Sequence, residues 1–226
     1  MKIRLEVWGD NAMFGGVNHS DRYSYPVITP SAAKGILDSI FWHPGCKWRV
    51  EKIHVLSPIK YETIRTNELK GNISARKAQQ IMRTGTGTFT LQDVDQRSST
   101  LLKDVHYLLE ADLQIASWVP EEKKKHYETM ACNRMKNGKS RKSPCLGQRE
   151  YRCNFRFPEA RDTKFPVPKE YQGQTINLGM MTYGFNYDDH ASLMLYNPIM
   201  INGVIDVPDP DDGDRVYTTN RRKGEM

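Results

Sequence analysis

Lys123-Lys124-Lys125-His126-Tyr127 sets an imidazole directly behind three ammonium groups. Histidine, with an unperturbed pKa of about 6.5, is the side chain best suited to proton transfer near neutrality. A lysine beside it can neutralise charge that develops on a phosphoryl oxygen. These five residues open a basic window. From Lys123 to Arg156, thirty-four residues carry eleven Lys or Arg against two acids, Glu128 and Glu150, so the window holds +9 in a chain of net charge +6. The positive charge is local, and it suits a polyanion: phosphate contacts supply most of the affinity of nucleic-acid binders through counterion release.

A protein that cuts RNA without a metal needs few groups. The ribose 2′-hydroxyl is already held beside the scissile phosphorus, so proximity supplies much of the rate. The protein must remove that proton, stabilise charge on the phosphorane and protonate the leaving 5′-oxygen. Lys125 and His126 fit two of these roles. Adjacent helical positions point about 100° apart, so both can border one phosphate. Solvation of a lone histidine on a basic helix explains the same residue, and Lys124 and its neighbours would serve equally as phosphate contacts. Arg134, Lys136, Lys139, Arg141 and Lys142 cluster around Gly138 with no acid between them, a pattern expected to touch RNA or DNA. A solvated charged face is the alternative. Further on, Gly147 would let the backbone approach a phosphate and Arg149 would offer a bidentate fork, although a plain turn accounts for both.

Composition narrows the class. The chain has 226 residues, enough for one large or two small domains, with 38% hydrophobic and 27% charged residues and a sequence pI near 9.1. Four cysteines (Cys46, Cys132, Cys145, Cys153) are scattered without a Cys-x-x-Cys pair, and the histidines show no His-x-x-x-His pair. Structural zinc usually draws on paired ligands, so buried thiols in a reducing compartment are expected, and metal-free, cofactor-free chemistry with them. No run reaches the roughly 20 apolar residues of a membrane span, and Met1 to Glu6 lacks a signal-peptide core. The expectation is a cytoplasmic protein with no membrane partner.

The elements that must position these groups follow from periodicity. Residues 2–8 alternate as a half-buried strand. Thr29-Pro30-Ser31 reads as an N-cap with proline at the first helical position, and Ala33, Ile36, Leu37, Ile40 and Phe41 repeat at helical spacing until His43-Pro44-Gly45. Trp48–Val50 and Ile53–Val55 read as strand with a bulge between, and 61–66 extends the sheet. Residues 71–99 read as a long polar excursion with an extended hairpin around Gly85-Thr86-Gly87. Val105 to Ile115 is a strongly alternating strand, and Pro120 opens a second helix with Tyr127, Met130, Ala131 and Met135 on its apolar stripe. A strand over 151–157 completes β-α-β-β-α-β, the ferredoxin-like order shared with RRM-type RNA binders. A proline-rich linker starts at Pro158. A small antiparallel sheet from 176–183 and 192–207, and a loose tail from Asp209, follow. The fold class is therefore α+β, with a ferredoxin-like domain over 1–157 and a small β-sheet domain over 158–226.

Several stretches resemble a known family. They are Val7-Trp8-Gly9-Asp10 with Ala12-Met13-Phe14, Tyr25-Pro26-Val27 through Ala33-Lys34-Gly35-Ile36, and Ser39-Ile40-Phe41-Trp42. Further along come Leu102-Lys103-Asp104-Val105-His106-Tyr107, Lys125-His126-Tyr127, Cys145-Leu146-Gly147-Gln148-Arg149-Glu150 and Gly184-Phe185-Asn186-Tyr187. In this order they are similar to the subtype I-C (Dvulg) branch of the fifth CRISPR-associated protein family. The resemblance implies a ferredoxin-like N-terminal domain, a small β-sheet C-terminal domain, and metal-independent cleavage at the base of the CRISPR repeat hairpin that leaves a 5′ tag. It implies repeat RNA and mature guide RNA as ligands, and the backbone and large subunits of a type I-C surveillance complex as partners. The family's catalytic set, a tyrosine after the first helix and a Lys-His pair, maps onto Phe41, Lys125 and His126. Phe41 departs from the pattern, because phenylalanine has no hydroxyl; it could still stack on a base, and His43 is the substitute for proton transfer. Two other readings stand: a guide-tag-holding subunit that does not cut, and a binder of double-stranded DNA.

Overall fold

The computed structural model describes residues 1–15, 22–69, 74–86, 94–159, 162, 165–187 and 191–219. The opening alternation becomes β1 (Lys2–Ala12), with Ile3, Leu5 and Val7 buried in the main core. Thr29 caps α1 (Pro30–Ile40): its Oγ1 accepts the Ala32 amide at 3.2 Å, and Pro30 begins the helix where a missing N–H costs nothing. Pro30, Ala33, Ile36, Leu37 and Ile40 form the buried stripe. The helix ends before His43-Pro44-Gly45, because Phe41 turns extended (φ −140°, ψ 121°) while its N–H still donates to the Leu37 carbonyl. Next comes β2 (Cys46–Val55), whose register slips between Val50 and Lys52, where the apolar phase slips in the sequence. It is followed by β3 (Tyr61–Leu69).

The polar excursion differs from expectation. An antiparallel hairpin is present, with residues 94–99 paired back onto β3 from Ile64↔Ser99 to Leu69↔Val94, but Gly85 and Thr86 do not turn it: they follow α2 (Ala75–Thr84), a helix that lies between the two arms in the chain. Ser74 Oγ accepts the Lys77 amide at 3.3 Å, and Gly85, at φ +64°, caps the other end by donating to the Ile81 carbonyl at 3.0 Å. None of its residues is buried, so no apolar stripe marks it in the sequence. Gly87 lies outside the described residues.

The chain returns as β4 (Val94–Ile115), the spine of the sheet, antiparallel to β1, β2 and β3. After Pro120, α3 (Glu121–Lys136) buries Tyr127, Ala131 and Met135 at i, i+4 and i+8. Met130, expected on that stripe, is only half-buried at its edge. The short β5 (Asn154–Arg156) pairs with β1. Beyond Pro158 come β6 (Thr175–Asn177), β7 (Met181–Asn186), β8 (Ser192–Tyr196), β9 (Ile199–Ile201), β10 (Val204–Asp206) and β11 (Val216–Thr219). The tail expected to be loose thus contributes a strand, while residues 220–226 and the turn residues Asp188 and Asp189 lie outside the described residues.

Two antiparallel sheets result. The larger runs β5-β1-β4-β2-β10-β9-β6 with β3 on β4; the smaller is β11-β8-β7. Strands β6, β9 and β10 join the first sheet through the β10–β2 pairing, and among the described residues β7, β8 and β11 stand apart. Helix α1 packs on β2 and reaches β7, and α3 touches α1 and β5. One face of the large sheet is thus occupied by α1 and α3. The opposite face carries Arg4, Glu6, Trp8 and His106. There Glu6, only 8% exposed, accepts from Arg156 Nε at 2.7 Å and lies 2.8 Å from His106 Nε2. Asp162 holds Arg156 at 3.0 Å and Phe165 packs under the Arg4 guanidinium, so both residues, which follow β5, lie on this face.

The capping geometry predicts that Thr29→Ala lowers stability by about 1 kcal/mol. A thermal melt should show a midpoint roughly 2–4 °C lower for a domain of this size.

Candidate active site

The site is assembled where α1 runs out of hydrogen-bond donors. The last four carbonyls of a helix have no partner within it. Here the Ser39 carbonyl accepts both the Arg141 amide at 2.8 Å and the Lys142 amide at 3.0 Å, and the Ile40 carbonyl accepts Arg134 Nη1 at 3.3 Å. Just past the helix, the Phe41 carbonyl accepts the indole N–H of the buried Trp48 at 2.9 Å. Cations at the carbonyl end of a helix also meet the negative pole of its dipole. Arg134, Arg141 and Lys142 are thereby fastened to the turn that carries Phe41, Trp42 and His43.

Tyr127 links this turn to α3. Its ring is buried, with the His43 ring 4.1 Å away at an interplanar angle of 31°, the His126 ring at 6.2 Å and the Phe41 ring at 6.5 Å. Residues from two distant stretches of chain, His43 and His126, thus meet around one aromatic side chain. The Nδ1 of His43 lies 2.9 Å from the Pro44 carbonyl. A neutral ring there donates from Nδ1 and leaves Nε2 as the proton acceptor. His126 and Lys125 are both exposed on α3. From His126 a groove of about 260 Å³ follows the helix, lined by Thr129, Met130, Asn133, Arg134, Asn137 and Lys139.

The remaining expected residues fall in three groups. Lys139, Arg141, Lys142 and Arg149 are exposed, and the Arg141 guanidinium lies 5.5 Å from the centre of the Trp42 ring. Lys136 reaches over Phe157 at 5.8 Å, and Lys124 is held by Glu121 Oε2 at 2.9 Å, one turn earlier. Two positions have structural duties that the sequence did not disclose. Phe41 is 2% exposed, so in this conformation its ring offers no face to a base, and base stacking gives way to support of Tyr127. Gly147 sits at φ +88° with the Met13 carbonyl so close that any Cβ would overlap it, so its close approach is to β1 and not to a phosphate. That segment is tied to the strand end by the Met13 amide, which donates to the Leu146 carbonyl at 3.1 Å.

Sequence reasoning missed the Trp42–Arg141 contact and the groove beside His126. The second was readable: residues 126, 130, 133 and 137 recur at helical spacing. The first joins residues far apart in the chain and left no local signal. The thiols nearby are passive. Burial pushes the Cys153 thiol up to about 12 and also raises that of Cys145. Among the described residues, no three His, Cys, Asp or Glu side chains gather as metal ligands would.

An antiparallel sheet faced by two helices, with two imidazoles and a run of cations at one helix end, makes an α+β protein with a surface suited to a polyanion. The family described as CRISPR-associated protein (Cas_Cas5), of the Cas5d type, matches residues 2–208, and the chain belongs to it. A curated relative from Mannheimia succiniciproducens, named CRISPR pre-crRNA endoribonuclease Cas5d, is 37% identical over 217 residues, covering 92% of this chain and 95% of the relative. One of the same name from Thermus thermophilus is 34% identical over 184 residues, 80% of this chain and 72% of that protein. The fold matches a crystal structure described as a CRISPR-associated protein at a TM-score of 0.71, with 22% identity and 96% and 97% of the two chains covered. The functionally uncharacterized SMU1763c from Streptococcus mutans matches at 0.68, with 22% identity over 96% and 97% of the chains.

Two outcomes follow from this geometry. Gly147→Ala forces both a strained φ and a backbone overlap, and should cost upwards of about 2 kcal/mol, read as a fall in the thermal midpoint. Because its thiol is raised so far, Cys153 should resist iodoacetamide at pH 8 in the folded protein and react once the chain is unfolded, as peptide mapping would show.

Proposed function

We propose that this chain is an endoribonuclease that binds the CRISPR repeat hairpin and cuts precursor CRISPR RNA without a metal ion. The observation that carries the reading is the meeting of His43 and His126 around Tyr127, beside cations fixed to the end of α1. In-line attack of a ribose 2′-oxygen on the neighbouring phosphorus needs one group to take the 2′ proton and another to protonate the departing 5′-oxygen. Two imidazoles supply both. The P–O5′ bond breaks as the P–O2′ bond forms, giving a 2′,3′-cyclic phosphate and a 5′-hydroxyl on the tag of the guide. Lys125 neutralises the phosphorane, and Lys124, Arg134, Lys136, Lys139, Arg141, Lys142 and Arg149 form the RNA-gripping surface, with Gly147 shaping the turn before Arg149 through its contact with Met13. Phe41 acts through Tyr127 as a positioning residue.

The β5-β1-β4-β2 order of antiparallel strands, with α1 and α3 on one face, supports a ferredoxin-like, RRM-type unit over 1–157 that holds this site. Residues 158–226 form the smaller C-terminal unit, which shares the large sheet through β10. After cleavage the protein stays on the 5′ tag in the cytoplasm, with the backbone and large subunits of a type I-C surveillance complex. Phe41, lacking the hydroxyl of the family tyrosine, favours a second reading in which the chain holds a processed guide and does not cut.

His126→Ala should slow cleavage of a repeat hairpin in EDTA by about 100- to 10,000-fold, the usual share of a general acid or base, with RNA affinity almost unchanged. His43→Ala should do the same. A single 2′-deoxy at the cut position should abolish cleavage by the wild-type chain. Binding without cleavage of the all-ribose hairpin would replace the nuclease by the guide-holding subunit.

A further inference from the structure

Two exposed indoles flank the turn that carries His43, and neither has a role in the chemistry above. Trp42 is 48% exposed and Trp118 is 69% exposed, while Trp48 is buried. Open indoles beside a candidate site are ready stacking surfaces for bases. Both are held in place. The Arg141 guanidinium packs on the Trp42 ring at 5.5 Å, leaving the rest of the ring to solvent. Trp118 lies against Gly45, where a Cβ would come within 2.8 Å of its Cζ2. Gly45 has φ +83°, the Cys46 amide donates to the His43 carbonyl at 2.9 Å, and the Ala116 amide donates to the Gly45 carbonyl at 2.8 Å. The turn is therefore rigid, and it has Trp42 at one end, Trp118 at the other and His43 between them.

We propose that Trp42 and Trp118 are a base clamp: each stacks one unpaired base of the RNA, on either side of the phosphate that lies at His43. The inference rests on the nuclease reading for the position of that phosphate. The Cα atoms of residues 42 and 45 are about 11 Å apart at most, three trans-peptide steps. The two indoles thus stand at opposite ends of one short turn, an arrangement that suits bases splayed from a single strand. RNA recognition commonly works in this way, with splayed bases laid on aromatic rings. Arg141 contributes twice, by steadying the Trp42 ring from one side and by meeting the phosphate of the stacked nucleotide. An indole accepts any base, so the clamp would fix which phosphate is presented without reading sequence.

The test uses the full chain and the cognate repeat hairpin with single-stranded flanks, made uncleavable by one 2′-deoxy at the cut. Trp42→Ala and Trp118→Ala should each weaken binding by about 5- to 150-fold, the span of a single base stack. Trp42→Phe and Trp118→Phe should recover most of the loss. Trp8→Ala, an indole on the opposite face of the sheet, should change affinity less than twofold. Removing the base of one nucleotide beside the cut should erase the penalty of one of the two alanine variants and leave that of the other. Alanine variants that bind like wild type, or penalties that persist on every abasic RNA, would overturn the clamp. Cleavage of the all-ribose hairpin by the wild-type chain is scored separately: if it is absent while these couplings hold, the nuclease reading falls and the clamp remains.

Discussion

The carbonyl end of α1 is the constraint on which the site depends. A helix that stops at Ile40 leaves acceptors that must find donors, and the donors come from a segment about a hundred residues later in the chain: the Arg141 and Lys142 amides and the Arg134 guanidinium. This solves two problems together. It satisfies groups that would otherwise be costly in a partly buried setting, and it gathers cations that would repel one another if left to solvent alone. Without those bonds the loop after α3 would have little to hold it, because Lys139, Arg141 and Lys142 are all exposed.

Tyr127 does for the titratable groups what α1 does for the cations. It is buried on the narrow stripe of α3, yet its ring is the common neighbour of Phe41, His43 and His126. The histidines therefore inherit their relative placement from core packing rather than from a hydrogen bond between them. Packing of this kind holds geometry well, because interiors are close-packed and a displaced ring must push its neighbours. Phe41, 2% exposed beside Tyr127, belongs to the same packing.

Much of this was legible in the sequence. The first helix, its Thr29 cap and its apolar stripe follow from spacing, as do the slip in β2, the alternation of β4 and the start of α3 at Pro120. The basic window was visible as a charge count. What could not be read was whatever depends on pairs distant in the chain. The two imidazoles come to flank Tyr127 only because α1 and α3 pack against each other. Gly147 is fixed by Met13, some hundred and thirty residues earlier, and nothing in the order of residues near it says so. Helix α2 went unread for the opposite reason: it buries none of its side chains, so periodicity had nothing to report, and only the Ser74 and Gly85 caps mark its ends. The fate of the C-terminal strands was also hidden, because short alternating segments do not announce which sheet edge they will join.

Asp162 and Phe165, on the far face of the large sheet, have a consequence for how this molecule meets RNA. In RRM-type modules the open face of the sheet is where bases are laid. Here the sheet face opposite the helices is paved: Glu6 accepts from Arg156 and lies 2.8 Å from His106 Nε2, Asp162 holds Arg156 at 3.0 Å, Phe165 lies under Arg4, and Leu108 is 1% exposed beneath. A strand of RNA laid there would have to displace the pairs that Arg156 makes with Glu6 and Asp162 to reach Trp8. On the proposed reading the sheet serves as the keel and the helix ends as the deck, the reverse of an RRM-type module.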